Sequence, residues 1–350
     1  MSENNLFASA LLEKGAAGYA GLAASLMLEQ QGDADNKAEF EVWKSHITQR
    51  ILELSAALSV SEPQLFANRA AWFRKALAAR QIDESYVNAS LESLKATLDE
   101  RLPPVGKSAP IEYIDSALKA LSEGIAIQDD SEIDPDSETG RLTLDYLQGV
   151  LEGNASQAIG KLLNELQNGR DPISLYTQVL LPAQREIGRL WHIGDVSVAE
   201  EHLVTSATKR AMAVLAQHAD NQPSNGKTMV AAAVANNAHD IGIRAISDLY
   251  QMAGWRVIYL GCDVPIDDLP PMLTYFDADV LVLSATLDVQ IPLVRETISM
   301  VRERADQNVR VLVGGYAFDQ APDIASTVGA DAYTKSVTAA LEIGNELTSG

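Results

Sequence analysis

The chain has 350 residues, is 47% hydrophobic, carries a formal net charge of −21 at pH 7 and contains one cysteine. That length suits two or three domains, the acidity excludes nucleic-acid binding, which needs a basic footprint, and a single thiol excludes an internal disulfide and suits a reducing cytoplasm. No apolar run approaches the roughly 20 residues that span a bilayer, and MSENNLFASALLEKG lacks a basic stretch followed by an apolar core, so neither a membrane span nor a secretory signal is expected.

Residues 1–127 read as an all-α domain. Phe40, Trp43, Ile47, Ile51, Leu54 and Leu58 recur at three- and four-residue steps and give one apolar helical face. Leu65, Phe66, Trp72, Phe73 and Leu77 supply a second helix, Leu91, Leu94, Leu98 and Leu102 a third that Pro103-Pro104 stops, and Ile111, Ile114, Leu118 and Leu121 a fourth. Residues 128–140, acidic and carrying Pro135, read as a solvated linker. Residues 141–222 then hold four helical segments, near 141–151, 154–168, 172–190 and 196–218, with Asn154, Asp171 and Ser197 as N-caps. Their short connections predict a four-helix bundle.

From 223 to 350 the period changes. Apolar runs Met229–Val234, Val257–Leu260, Val280–Leu283 and Val311–Val313, the last extended by Val309, alternate with helical stretches near 241–253, 266–275, 291–305 and 320–327. Ala330–Tyr333 is a fifth strand and 336–348 a closing helix. Strands separated by helices make right-handed βαβ units, which predicts a Rossmann-like parallel sheet in flavodoxin order with a ligand over its carboxyl ends.

The chemistry concentrates in two stretches, Trp191-His192…Glu201-His202 and Asn237-Ala238-His239-Asp240-Ile241-Gly242, which hold three of the five histidines. His239 falls where the first strand gives way to a helix, so a loop there can lift one imidazole toward a flat ligand; alone, it reads equally as a helix-capping histidine. Gly242 permits close approach of that helix. Ser284-Ala285-Thr286-Leu287 and Gly314-Gly315 follow the third and fourth strands, and small residues there keep a slot open beside the imidazole. Cys262 is expected to be a small buried hydrophobe beside that slot, and His218 to face the negative end of its helix.

As a set, these residues over about 140–350 resemble the cobalamin-binding domain of methionine synthase, methylmalonyl-CoA mutase and corrinoid proteins, whose motif is Asp-x-His-x-x-Gly followed by Ser-x-Leu/Thr and Gly-Gly. The resemblance implies base-off binding with His239 coordinating cobalt from below. It departs at Asn237, where the family has aspartate; an asparagine can orient the ring but donates less electron density to the metal.

Trp191-x9-Glu201-His202 resembles the light-sensing cobalamin domains of the CarH photoreceptor group. That resemblance implies adenosylcobalamin, with Trp191 covering the adenosyl group, Glu201 bonding its ribose, His202 supporting the site and His192 taking the upper cobalt position once adenosyl has left. Alone, Trp191 would read as a core tryptophan and Glu201-His202 as a solvated pair. In the N-terminal domain, aromatics and cations at Trp43, His46, Arg50, Arg69, Trp72, Arg74 and Tyr86 resemble the globin-like helical domain of photocobilins. This implies non-covalent biliverdin, since the domain has no cysteine, with arginines on its propionates. The same residues also read as an apolar dimerisation module, and a haem on His46 is a third reading.

The function expected on these grounds is a cytoplasmic photoreceptor, not an enzyme, that forms a homo-oligomer such as a dimer and signals to an unidentified partner by a light-driven quaternary change. The rivals are a corrinoid methyl carrier serving a methyltransferase, for which a cap without Trp191-His192 is expected, and a light-independent cobalamin-reporting module.

Overall fold

A computed structural model describes residues 2–32, 36–124, 130–305, 309–319 and 321–349. The chain forms two compact units, Met1–Gln128 and Asp129–Gly350. Gln128 and Asp129, the first two residues of the expected linker, lie outside the described residues.

The described residues of the first unit form five helices: α1 (Glu3–Gln31), α2 (Lys37–Val60), α3 (Pro63–Ala78), α4 (Ser85–Arg101) and α5 (Pro104–Glu123). The last four correspond to the apolar periods of the sequence. The first has no such period. It buries Ala8, Leu12, Ala16, Ala20, Ala23, Ala24 and Met27, and its small residues make a weak stripe although alanine is the strongest helix former. Ser9 and Ser55 are buried where α1 meets α2, each hydroxyl 2.9 Å from the other residue's carbonyl. Gly32, at φ +76°, ends α1 and donates its N–H to Glu29 and Leu28.

The second unit opens with a helical cap: α6 (Glu138–Leu151), α7 (Ala155–Gln167), α8 (Pro172–Leu175), a π-helical turn (Tyr176–Leu180) running into α9 (Leu181–His192), and α10 (Val198–His218). Helix α6 starts three residues before the expected 141, because Ser137 accepts the Gly140 N–H and caps it. Asp171 caps α8, and Ser197 with Glu200 forms a capping box on α10. Asn154 makes no side-chain cap: its backbone, at φ −96° and ψ 33°, is not in the extended conformation that aims a capping oxygen at the helix. The π turn has a local cause. Pro182 has no N–H for the Gln178 carbonyl, which instead lies 3.3 Å from the Thr143 hydroxyl, and Leu181 bonds back to Tyr176.

Five parallel strands follow: β1 (Thr228–Val234), β2 (Arg256–Val264), β3 (Val280–Ser284), β4 (Arg310–Gly314) and β5 (Ala332–Tyr333), in the order β2-β1-β3-β4-β5. Val309 is buried but lies just outside β4. The connecting helices are α11 (Ile241–Met252), α12 (Leu269–Phe276), α13 (Ile291–Arg304), α14 (Tyr316–Asp319), α15 (Ile324–Thr327) and the closing α16 (Val337–Leu347). The helix expected at 320–327 is instead two short pieces. Gln320 lies outside the described residues, and Pro322 cannot donate to a continuing helix. Every residue of β1 is buried, as a central strand covered on both faces requires. The cap shares its core with the sheet layer, for Tyr176, Val204 and Leu215 pack in one cluster with Ala245, Leu249 and Met252 of α11.

Candidate functional site

The chain leaves β1 toward one edge of the sheet and β3 toward the other, so the carboxyl ends of these neighbours flank the crevice where such folds bind ligands. The loop from β1 to α11 carries His239 into that crevice. Its construction rests on Asn237, which is fully buried: Nδ2 donates to the Ser284 carbonyl at 3.0 Å, and Oδ1 accepts the His239 backbone N–H at 3.1 Å. Asn237 therefore shapes the loop backbone and ties it to the end of β3; it does not orient the ring, as the motif suggested. Gln290 adds a second tie, accepting the N–H groups of Thr286 and Leu287 while donating to the Asn236 carbonyl.

The His239 side chain is exposed, and among the described residues its ring has no hydrogen-bond partner. Gly242, one turn on, is also exposed, and a Cβ there would meet nothing within 4 Å. Close helix packing is thus not its role; it leaves the rim beside the imidazole flat. Gly315 is required by its backbone, at φ +102°, and by crowding: a Cβ would stand 2.2 Å from the Ala285 carbonyl. At Gly314 a Cβ would stand 2.8 Å from the Thr334 carbonyl. Side chains are excluded there by neighbouring backbone, with Ser284, Thr286 and Leu287 completing the wall after β3.

Cys262 is exposed, contrary to expectation. The register of β2 against β1 slips twice, at Tyr259–Gly261 and Gly261–Val264, and this bulged end of an edge strand lifts Cys262 away from the core. The same bulge turns Asp263, at φ +54°, to accept the Asn236 N–H at 2.7 Å.

Asp240 is buried and tied on two sides. Its Oδ2 accepts the Tyr259 hydroxyl at 2.9 Å, and Oδ1 forms an ion pair with Lys209 Nζ of cap helix α10 at 2.5 Å. This contact brings α10 against the His239 loop. Glu201 and His202 stand about 12 Å up the same helix from Lys209. Their side chains pair, Oε2 to Nδ1 at 2.6 Å, and the Thr205 hydroxyl sits 2.7 Å from Glu201 Oε1 and 2.9 Å from Gln184. Gln184 in turn donates to Thr208, which pairs with the buried Tyr146 hydroxyl, whose pKa burial pushes up to about 12. Sequence reasoning missed this polar chain, because Gln184, Thr205 and Thr208 lie on faces that only the bundle brings together.

Trp191 and His192 end α9, with Trp191 half-buried and His192 only 6% exposed. His218 is exposed and donates Nδ1 to Val214 at the end of α10. A crevice of about 520 Å³ lined by Arg170, His218, Leu249 and Leu341 opens at the far end of α11, away from His239. Among the described residues no group of three histidines, cysteines or acids is placed to hold a metal ion; a single imidazole suffices for a metal already held in a macrocycle.

In the first unit Trp43 is buried and stacks on Tyr86 at 5.4 Å. His46 lies against Trp43 and Phe73, and burial, reinforced by Arg50, lowers its pKa. Arg50 was expected to reach a ligand propionate. It is instead buried, bonded to Glu53 at 2.8 Å and seated on the Phe73 ring, because a buried guanidinium needs a carboxylate beside it. Arg69 shares Glu53 and covers Trp72, and Arg74 bonds the Leu121 carbonyl.

Two family models, both described as a B12 binding domain, match residues 144–216 and 227–342. Dimethylamine corrinoid protein 3 of Methanosarcina mazei is 33% identical over 115 residues, which span 33% of this chain and 68% of that protein. The chain belongs to the B12-binding family. Dimethylamine corrinoid protein 1 of Methanosarcina acetivorans is 26% identical over 58% of this chain and 96% of its own length. The HTH-type transcriptional repressor CarH of Myxococcus xanthus is 24% identical over 65% of this chain and 74% of its own. The structure of the Methanosarcina barkeri monomethylamine corrinoid protein superposes with a TM-score of 0.52 at 17% identity, covering 59% of this chain and 99% of that one. The B12-binding fold thus accounts for the cap and the sheet together. Among the described residues no helix is long and apolar enough to cross a membrane.

Proposed function

We propose that this B12-binding chain is a corrinoid carrier, not itself a catalyst, that holds cobalt through His239 and serves a separate methyltransferase. The observation that carries this reading is the exposed imidazole at the β1/β3 switch point, on a loop that Asn237 ties to the end of β3. Similarity to dimethylamine corrinoid proteins along nearly their whole length supports the carrier role, and on this reading Trp191 and His192, not expected in a carrier's cap, serve the packing at the end of α9. When bound, a corrinoid supplies a cobalt–carbon bond that passes a methyl group to a nucleophile or breaks under visible light. Asn237 and Asp240 fix the backbone on either side of His239, and Ser284, Thr286, Leu287, Gly314 and Gly315 leave room for the cofactor's nucleotide tail.

A second reading, a light sensor using adenosylcobalamin, is favoured by the Glu201–His202 pair held by Thr205 and by the likeness to CarH across cap and sheet. On that reading Trp191 and Glu201 would hold the adenosyl group, and His192, buried in this structure, would have to leave its position to bind cobalt. A shift of the cap would then alter contacts in a homo-oligomer. Biliverdin in the first unit would have to be held non-covalently near His46, Trp43 and Trp72.

The deciding experiment loads the protein with methylcobalamin or adenosylcobalamin, with and without biliverdin, and records visible spectra and sizing profiles before and after green light. Cobalamin bound through imidazole, with an elution volume that light does not change, is the carrier's result. Conversion to a two-imidazole spectrum with a changed elution volume makes the chain a sensor, and an added red band adds the bilin. If His239→Ala binds cobalamin with the wild-type spectrum, both readings fail.

A further inference from the structure

Among the described residues the cap is fastened to helix α11 at two polar points outside the shared apolar core. At the first, Lys209 of α10 meets Asp240, the residue that precedes α11. At the second, two turns on, the buried Tyr176 hydroxyl in the π turn lies 2.8 Å from Asp248 Oδ2 and 2.8 Å from the Met212 carbonyl. Arg244 lies between them, bonded to Asp248 and covering the Tyr259 ring. The two points differ in what they hold. Asp248 sits inside the helix, whereas Asp240 adjoins His239.

The backbone at His239 is pinned on its other side by Asn237, which belongs wholly to the sheet layer. Asp240 is pinned to β2 by Tyr259, to α11 by its carbonyl, which accepts the Arg244 N–H, and, among the described residues, to the cap by Lys209 alone. We propose that Lys209 is a positioning residue for the lower cobalt ligand: through Asp240, cap helix α10 sets where the His239 loop stands, so cap position and imidazole ligation are coupled. The inference rests on the reading of His239 as that ligand. A cap displaced from the cofactor's upper face draws Lys209 from Asp240 and frees the loop below, and a loop pulled toward cobalt draws on the cap. The two faces of the cofactor site thereby communicate through protein and not only through the metal.

The test uses the full chain and the variants Lys209→Met, which keeps the aliphatic stem and removes the charge, Lys209→Arg, which restores it, and Tyr176→Phe, which loosens only the second fastening. Hydrogen exchange of the 238–241 amides is measured without cofactor, and nitrogen splitting in the cob(II)alamin EPR spectrum reports the imidazole-bound share. Exposure at the Lys209 end, which lets water reach the contact, predicts modest effects: Lys209→Met speeds loop exchange and raises the cobalamin Kd about two- to five-fold, with a lower imidazole-bound share, and Lys209→Arg reverses both. Tyr176→Phe leaves the imidazole-bound share as in wild type. Wild-type exchange and splitting in Lys209→Met overturn the proposal, as does a Tyr176→Phe effect equal to that of Lys209→Met. If wild type itself binds cobalamin without nitrogen splitting, the ligand reading fails, and the coupling of the loop to the metal fails with it. Splitting that is present in wild type, lost in His239→Ala and unchanged in Lys209→Met isolates the failure to Lys209.

Discussion

The family motif suggests that Asn237→Asp would improve this protein by restoring the aspartate that sharpens a ligating histidine. The structure predicts the opposite. Asn237 is fully buried, and its Nδ2 donates to the Ser284 carbonyl at 3.0 Å while Oδ1 accepts from His239 N. An ionised aspartate keeps the second bond but sets a carboxylate oxygen against a carbonyl oxygen in place of the first. Leaving that carbonyl unpaired costs about 1–3 kcal/mol, and the buried charge adds to it. Taking up a proton restores a donor, so the penalty cannot exceed the cost of protonating the carboxyl. From an unfolded pKa of about 3.9 that ceiling is about 4 kcal/mol at pH 7 and about 2 kcal/mol at pH 5.5. The sign follows: a carboxyl whose folded pKa is raised destabilises increasingly as pH climbs above the unfolded value. About 3 kcal/mol at pH 7 corresponds to a fall in Tm of roughly 6–12 °C for a unit of this size, narrowing at pH 5.5. Thermal unfolding of cofactor-free wild type and variant at both pH values measures it. A variant as stable as wild type at pH 7 that also binds cobalamin more tightly would refute the reasoning and return Asn237 to the ring.

Gly315→Ala, at φ +102° with its Cβ 2.2 Å from a carbonyl, is expected to cost at least about 2 kcal/mol and to weaken cobalamin retention, read by unfolding and by dialysis of loaded protein. Tyr176→Phe removes a buried donor next to a carboxylate and should cost about 2 kcal/mol, seen as a Tm lowered by roughly 4–8 °C; an unchanged Tm would mean the fastening carries no net stability. His46 has its pKa held below the ordinary value by burial and by Arg50, so stability is full above pH 6.5 and falls as pH drops through the depressed folded value. His46→Gln should flatten that acid-side slope in urea unfolding followed by tryptophan fluorescence, and a slope unchanged by the substitution would assign it to other groups.

The sheet and its switch point were legible because a parallel strand covered on both faces writes a continuous apolar run, as Met229–Val234 does, and the residues after it inherit their place from topology. The small residues after β3 and β4 were legible for the same reason. What escaped was information that lives between elements. Helix α1 escaped because its close packing on α2 uses alanine and serine, which leave no apolar period. The exposure of Cys262 escaped because a register slip depends on the partner strand, not on the local sequence. Arg50 escaped because one turn of α2 brings Glu53 beneath it, turning a cation free to meet a ligand into half of an internal pair.

The same distinction bears on how the site works. Motif residues of the sheet layer, Asn237, Ser284 and Gly315, are fixed to one another by backbone bonds and close contacts within that layer. Motif residues of the cap, Glu201 and His202, are fixed within the bundle through Thr205 and Gln184. Among the described residues no hydrogen bond or ion pair joins the two sets directly. The polar residues that join the layers, Lys209 with Asp240 and Tyr176 with Asp248, are an ordinary cap lysine, an aspartate expected among the cofactor-binding residues, and a tyrosine and an aspartate inside their respective helices. A ligand that contacts both layers must therefore work against, or through, these two fastenings and the apolar core that the layers share. Of the two, the Lys209–Asp240 contact adjoins the ligating loop and is half-exposed at its lysine end, where water can take the cation's place, so it is the one that cofactor binding can shift more readily. The buried Tyr176–Asp248 contact holds the cap in place while it does so.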